Sequence, residues 1–564
     1  MDKILEAYVA DFAEDFNLAT STPPLLFEHF VNYCAIAPEL MDPLDLADIH
    51  VAGGGDTAID GVAIIVNDRL ITSPEQLDDV ARLRGRLEVS FVFTQAKMGT
   101  KFNAAEIGSF LFGVKEFFNP SSALPSNKAI SQRRGLADKL FAKSINFRRN
   151  PELRLFYATT GEWLGDATVQ ARVDAELAQL RSLHLFSSVE FKPLDATGIK
   201  AKYKNQKRRL VQEIEFERHA IIPRLEGVAV AYIGILSAQE YLKLITAPDN
   251  RLNKAVFYEN IRDFQGDTPV NTEIQSTLLN AESQSLLPIL NNGVTIVARS
   301  IEPTGTRFRL TDYQVVNGCQ TSHALFFAQD ELKTAVHIPV KLIATEDPDI
   351  TARIIRATNR QTEIKPEAFI ALSPFHKQLE DLYEAMSRGG VHPLFYERRS
   401  RQYDGTSVRP HQVVTVAAQV ASFTAVFLEE PHSCHRYYGE VIAAYRDRLF
   451  REDHSVLPYF LSSFILYRLE GLFRNNVVPA YLRPLKYHIA MMTRIGAGGG
   501  SLPPLASKKM DDYCGVVLNK LSDNRISAST IEAACDKVKQ QLMRAGDEAE
   551  SPRVRSFTQA LLRG

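Results

Sequence analysis

The apolar positions of the chain fall first at helical spacing, over residues 1–20 and again over 22–36, where LLFEHFVNYCAI follows a proline pair that marks a helix start. The pattern then changes to unbroken apolar runs. GVAIIVND (61–68), entered through the glycine-rich turn GGGDTAID (53–60), and EVSFVFTQAK (88–97) predict two strands, with a short helix PEQLDDVARL between them. Helical spacing returns in NAAEIGSFLFGVKEFF (103–118), a polar and basic stretch occupies 126–150, and LRLFYATTG (153–161) reads as a third strand. A helix over 166–183 and a short strand in LFSSVEFKPL follow. The basic run KAKYKNQKRR (200–209) reads as a domain boundary, and equally as a solvated linker or strand edge. Beyond it, strands are predicted at 227–236, 294–300, 307–316 and 337–344, and helices dominate from about 349 onward. GAGGGS (496–501) reads as a surface loop, and no repeat of fixed period stands out.

A chain of 564 residues is too long for one core; the pattern divides it into 1–200, 201–430 and 431–564. The fold class expected is multidomain α/β and α+β: a mixed sheet flanked by helices, then a mixed α+β domain, then a helical C-terminal region. With 45% hydrophobic and 23% charged residues the composition is that of ordinary globular protein. The net charge of -2 confines any phosphate-binding surface to a local patch. Five scattered cysteines without CxxC spacing read as reduced thiols. The acidic, amphipathic start is no leader peptide, and no apolar run reaches the length of about 18 that a membrane helix needs. These features together set the expectation of a cytoplasmic protein that makes no membrane contact.

The candidate chemistry lies in the first region. Gln95 and Lys97 stand two apart on one strand, so their side chains share a face, and Asp60 opens the neighbouring strand and reaches that same face. A hard divalent cation takes oxygen ligands, and Mg²⁺ accepts one or two carboxylates together with waters and phosphate oxygens. Asp60 supplies a carboxylate, Gln95 an amide oxygen, and a backbone carbonyl such as that of Ala96 a third donor. Lys97 suits the positioning of a water or the stabilisation of charge on a phosphate. Taken singly these residues have bland readings: Asp-Gly is a common turn signal, Asp56 fits turn geometry, and a lysine at a strand end is ordinary. The joint arrangement points to phosphodiester hydrolysis.

GGGDTAIDGVAIIV followed by FVFTQAK resembles the nuclease core of Mrr-like restriction endonucleases of the PD-(D/E)xK type, over roughly residues 20–165. The resemblance implies a restriction-endonuclease-like mixed sheet, with Asp60, Gln95 and Lys97 at the metal and catalytic positions. It assigns Glu28 to the acidic position on the first core helix and Mg²⁺ or Mn²⁺ as cofactor. Gln95 departs from an acidic pair by removing one negative charge.

The later part carries FYENIRDFQG (257–266), LNNGVTIVA (290–298), YQVVNGCQTSHAL (313–325), ATNRQTEIKPEAF (357–369) and FYERRSRQY (395–403). Together these resemble the AIPR family, named for abortive infection and phage resistance, over roughly 225–430. The resemblance implies a prokaryotic anti-phage role. VVNGCQT also looks like the DGQHR-type turn of ParB-like proteins, with Asn317 in place of Asp, and a polar turn that opens a helix can hold phosphate through its free N–H groups. Arg262, Asn317, Gln320, Thr321, Asn359 and Arg360 are the candidates for nucleotide or nucleic-acid binding there. Arg398, Arg399 and Arg401, beside Tyr396 and Tyr403, are candidates for gripping a nucleic-acid backbone by charge and stacking, against the reading of a solvated arginine loop. His432, Cys434 and His435 lack zinc spacing.

The expected function is a metal-dependent endonuclease of anti-phage defence that acts on DNA, with the AIPR-like domain as sensor or regulator of a phage-derived trigger or nucleotide. A homodimer would cut both strands. RNA as substrate is a close variant. The alternative is a catalytically silent nucleic-acid- or nucleotide-binding regulator. An ATP-driven subunit is disfavoured because no GxxxxGK[ST] loop occurs.

Overall fold

The computed structural model describes residues 1–40, 44–51, 53, 57–84, 86–122, 124–207, 210–247, 250–257, 269–280, 283–332, 336–358, 373–398, 402–403, 406–546 and 551–563. Its first sheet is built from α1 (Lys3–Asp15), α2 (Pro23–Ile36), β1 (Gly61–Val66), β2 (Arg69–Leu70), α3 (Pro74–Arg84), β3 (Val89–Lys97), α4 (Ala104–Phe117), α5 (Lys128–Phe141), β4 (Glu152–Thr159), α6 (Ala167–Arg181), β5 (Ser188–Leu194) and α7 (Ala196–Lys207). The strand order is β2-β1-β3-β4-β5, with β1 antiparallel to β2 and β3, and β3, β4 and β5 parallel.

Both faces of this sheet are covered, which explains why β1 and β3 read as continuous apolar runs rather than alternating ones. On one face Val62, Ile64, Phe91, Phe93, Leu155 and Tyr157 pack against Phe110, Val114 and Phe117 of α4 and Val173, Leu177 and Leu180 of α6. The Phe93 and Phe117 rings meet edge-on at 5.0 Å. On the other face lies α2, whose buried Asn32 accepts a hydrogen bond from Thr94 Oγ1. Tyr203 of α7 ties α1 and α2 together: its ring lies 5.0 Å from Phe30 and its hydroxyl donates to Asp11 at 2.6 Å.

The second sheet takes β6 (Val211–Glu215), β7 (Arg218–Ile221), β8 (Val230–Ser237), β9 (Val294–Thr304), β10 (Arg307–Asn317) and β11 (His337–Ala344), in the order β6-β10-β9-β11-β8-β7. Only the β9–β11 pair is parallel. Among its helices are α8 (Ala238–Ile245), α9 (Pro269–Leu279), α10 (Leu287–Leu290), α11 (Cys319–Phe327) and α12 (Pro348–Thr358). Tyr241, Leu244 and Ile245 of α8 and Leu325 of α11 pack on Ile296, Phe308, Leu310 and Val340. On the opposite face Ile355 of α12 meets Val297 and Val316.

The remaining chain is helical: α13 (Pro374–Ser387), α14 (Val416–Val426), α15 (Tyr438–Ala444), α16 (Leu457–Arg474), α17 (Lys486–Gly498), α18 (Lys508–Ser522), α19 (Asn524–Ala545) and α20 (Arg555–Arg563), with one short parallel pair, β12 (Phe395–Glu397) and β13 (Val413–Thr415). These helices close on the first sheet through charges. Arg483 donates to Asp45 at 3.1 Å and to Glu470 at 2.7 Å, and Lys486 donates to Glu470 at 3.2 Å. Asp79 of α3 accepts from Arg436 at 3.1 Å and from the Tyr437 N–H at 3.1 Å, and Ser73 donates to the His435 carbonyl at 2.9 Å. Two compact units result: 1–36 with 44–203 and 373–564, and 37–43 with 204–372.

The structure refines three readings. The basic run at 200–209 is helical as the end of α7 as far as Lys207, because Ile199 and Tyr203 give it a buried stripe, and the division between the two compact units falls within it, after Tyr203. The polar stretch at 126–150 contains α5, anchored by Ile130, Leu136 and Leu140. In GAGGGS, α17 runs through Gly498 and stops at Gly499, whose φ of 88° suits glycine.

Candidate functional site

Asp60 and Gln95 stand opposite one another at the end of the β1–β3 ladder. The Asp60 N–H donates to the Thr94 carbonyl at 2.9 Å, and the Ala96 N–H donates to Asp60 Oδ2 at 2.7 Å. That second bond turns the carboxylate onto the tip of β3, at the level of Gln95 and Lys97. Asp60 and Gln95 are 5% and 1% exposed. Strand alternation puts Asp60, Gln95 and Lys97 on the face that carries Val62 and Phe93, beneath α4.

Gln95 Oε1 is buried and has no hydrogen-bond partner among the described residues. Leaving a buried acceptor unsatisfied costs about 1–3 kcal/mol, so its retention there asks for a reason. Lys97 is half-exposed and makes no hydrogen bond or ion pair among the described residues. The loop that follows it is pinned: Thr160 donates through Oγ1 to the Met98 carbonyl at 3.0 Å and through its N–H to the Gly99 carbonyl at 3.1 Å. Gly61 permits the close packing behind Asp60, since a Cβ there would overlap Thr94 and Asn32. Asn32 also donates to the Asp60 carbonyl at 3.3 Å.

Glu28 comes from α2, on the other face, and its carboxylate meets His50 Nε2 at 3.0 Å. The rings of His50 and His29 lie 4.5 Å apart. Burial, then the charges of His50 and Arg483, push the His29 imidazole down to about 3, so it is neutral at ordinary pH. Asp56 lies outside the described residues.

Two residues that sequence reasoning missed join the site. Tyr157 is the in-register neighbour of Gln95 on β4, and its hydroxyl donates to Glu106 Oε2 at 2.9 Å. Burial, the Glu106 hydrogen bond, and the charges of Glu106 and Asp60 hold the Tyr157 phenol well above its usual range, so it stays a neutral donor to Glu106. Glu106 lies in the first turn of α4, capped by Asn103, whose Oδ1 accepts from Ala105 N–H at 2.8 Å. The spacing Asn103–Glu106 reads in sequence as an ordinary helix start, which hid it.

The acceptor set is of the chemistry a hard divalent ion takes: a carboxylate and an amide oxygen without a donor among the described residues. Among the described residues no three His, Cys, Asp or Glu side chains gather as a metal-holding group, which is consistent with an amide at position 95.

In the second unit, Gly318 (φ 98°) turns β10 into α11. Thr321 is buried and accepts from Asn291 at 2.9 Å, and Ser322 meets the Tyr241 hydroxyl at 2.5 Å. Asn317 and Gln320 are half-buried beside this turn. In the helical region Arg398 is 8% exposed and donates to Glu380 at 2.8 Å, while Tyr396 is fully buried with its hydroxyl against His376 Nδ1. Arg262, Asn359, Arg360, Arg399 and Arg401 lie outside the described residues. Cys434 is buried and donates to the Ala421 carbonyl at 3.2 Å.

The fold is thus a mixed α/β protein with two mixed sheets and many helices, and a carboxylate–amide–lysine group at one strand tip. Residues 257–541, half of the chain, match the family described as AIPR protein, and the chain belongs to that family. The matched span begins in the second unit and runs through α18 into α19; Asp60, Gln95, Lys97 and Glu106 precede it. No curated protein and no solved structure matches the chain. No described helix is long and apolar enough to cross a membrane.

Proposed function

We propose that this AIPR-family chain is a metal-dependent nuclease of anti-phage defence that hydrolyses phosphodiester bonds, with DNA as substrate and Mg²⁺ or Mn²⁺ as cofactor. Family membership points to abortive infection and anti-phage defence. The nuclease reading is supported by one observation above the rest: Asp60 and the unpartnered Gln95 oxygen converge at the tip of β3 beside a lysine that makes no ion pair among the described residues. The order helix, loop, Asp60, strand, strand with QxK, helix, strand is consistent with a PD-(D/E)xK core.

Asp60 and Gln95 would hold the ion. Bound there, it supplies an acidified water and charge compensation at the phosphate. Lys97 orients that water and stabilises charge on the phosphate oxygens. The Ala96 N–H keeps the Asp60 carboxylate aimed at the strand tip, and α2 buries the strand backbone behind it.

A regulatory role for the matched helices is supported by a chain of contacts within the first unit. Arg483 and Lys486 hold Asp45. Burial alone would raise the Asp45 carboxyl, but those two charges hold it well below the usual range. Asp45 caps the turn that leads to Val51, whose N–H donates to the Asp60 carbonyl at 3.1 Å.

The test is incubation of the purified full chain with plasmid DNA and with total RNA, in Mg²⁺, Mn²⁺ or EDTA. Cleavage should require the metal. Lys97→Ala and Asp60→Asn should each lower it by about 10²–10³-fold without changing the melting temperature. Metal-dependent cleavage retained by both variants would remove the site assignment. Silence in every condition would favour a binding regulator, the reading that the neutral Gln95 supports.

A further inference from the structure

We infer that Glu106, on α4, is the second carboxylate of this metal site, in place of Glu28 on α2; the inference rests on the nuclease reading. A hard divalent ion held by one carboxylate and one neutral amide has little protein charge to hold it, and Gln95 has removed the carboxylate expected on β3. The structure offers two carboxylates that could restore it.

Glu28 is on the α2 face, engaged by His50 at 3.0 Å, whereas Asp60, Gln95 and Lys97 face α4. Glu106 is on the α4 side, in the turn that follows the β3 tip. Tyr157 gauges its position: its ring sits beside Gln95 in register, and its hydroxyl donates to Glu106 Oε2 at 2.9 Å. Glu106 Oε1 has no hydrogen-bond partner among the described residues. The buried Gln95 oxygen, unpartnered and on this same face, lies between the two acids in the order Asp60, Gln95, Tyr157–Glu106 across adjacent strands β1, β3 and β4. Asp60 and Glu106 thus stand to either side of a buried acceptor that lacks a donor among the described residues, with Glu106 presented from the exposed first turn of α4. Tyr157 then acts as a positioning residue that holds Glu106 ready while no ion is bound.

The discriminating measurement is Mn²⁺ binding to the full chain, followed by calorimetry and by the manganese electron paramagnetic resonance signal, which needs no turnover. Wild type should bind. Asp60→Asn and Glu106→Gln should each weaken binding about tenfold or more, and Glu28→Gln by less than about twofold. Glu106→Asp keeps the charge on a shorter stem and should fall between wild type and Glu106→Gln, which also covers the case in which Glu106→Gln is poorly folded. If Asp60→Asn loses binding while Glu106→Gln and Glu106→Asp bind like wild type, Glu106 is not a ligand and the proposed nuclease site survives. A wild type that binds no Mn²⁺, or an Asp60→Asn variant that binds as well as wild type, overturns the proposed function and this inference with it.

Discussion

Two strand-to-helix turns, one in each unit, use polar residues in opposite ways. After β10, Gly318 opens α11, and two polar side chains of its first turn are engaged within the fold, Thr321 with Asn291 and Ser322 with Tyr241, while Asn291 Oδ1 in turn accepts from the Gly293 N–H at 2.8 Å. After β3, the polar groups are brought together but not matched to one another. Gln95 Oε1 has no donor and Lys97 has no acceptor among the described residues, although both emerge from a strand buried on both faces. The lesson is that polarity at a strand end does not by itself mark chemistry. A satisfied polar pair such as Thr321 and Asn291 is scaffold, whereas an acceptor kept unsatisfied in a rigid setting is a standing cost that a ligand can offset.

Experiments that perturb each region should keep these roles apart, and the largest effect expected is that of acid on the first unit. His376 and His435 are buried there with imidazoles pushed down to about 3 and about 4, by burial and then by the charge of Arg398 and Arg553 respectively. Both remain neutral when folded, while the unfolded chain takes up protons below the usual 6.5. Stability should therefore be level above that value, fall as pH drops from 6.5 toward 4, and level again below both values. Each group contributes at most about 1.4 kcal/mol per pH unit. Urea midpoints between pH 7 and 4 measure the slope, and a midpoint independent of pH would contradict it.

Next in size is Gly61→Ala. The new Cβ would push into Thr94 and Asn32 directly behind Asp60. A stability loss of about 1–3 kcal/mol is expected in urea unfolding, with cleavage lost beyond what reduced folding accounts for. A variant as stable as wild type would show that this packing is looser than described. The smallest effect belongs to the second unit. Asn291→Ala removes the bridge between Thr321 and the Gly293 turn and should cost about 1 kcal/mol, with Mn²⁺ affinity of the first unit unchanged. A large fall in Mn²⁺ affinity would erase the contrast between scaffold turn and site turn.

Much of the framework was legible along the chain. The runs GVAIIV and VSFVFTQAK announced β1 and β3 because a strand covered on both faces must be apolar throughout. The alternation of Gln95 and Lys97 on one strand, with Asp60 before the next, puts three candidate residues on one face from the sequence alone. What escaped notice has a common cause. The edge strands β6 and β7 carry exposed residues and so lack an apolar signature. Helix α5 buries only a narrow stripe among charges. Glu106 looks like a helix-start residue in sequence, and only the parallel pairing of β3 with β4, which sets Tyr157 beside Gln95, reveals what it adjoins.

By itself, then, the chain of side chains determined the apolar strands, the amphipathic helices, the face shared by Asp60, Gln95 and Lys97, and the AIPR motifs of its later part. These follow from local periodicity, which depends on neighbours two to four residues apart. Tertiary structure alone decided that 373–564 close on the first sheet, that Arg398 is buried against Glu380, and that Glu28 and Glu106 come from helices on opposite faces of the first sheet. Such pairings join residues far apart in sequence, and the energy that selects them is that of burying charge with a partner, which no single segment encodes.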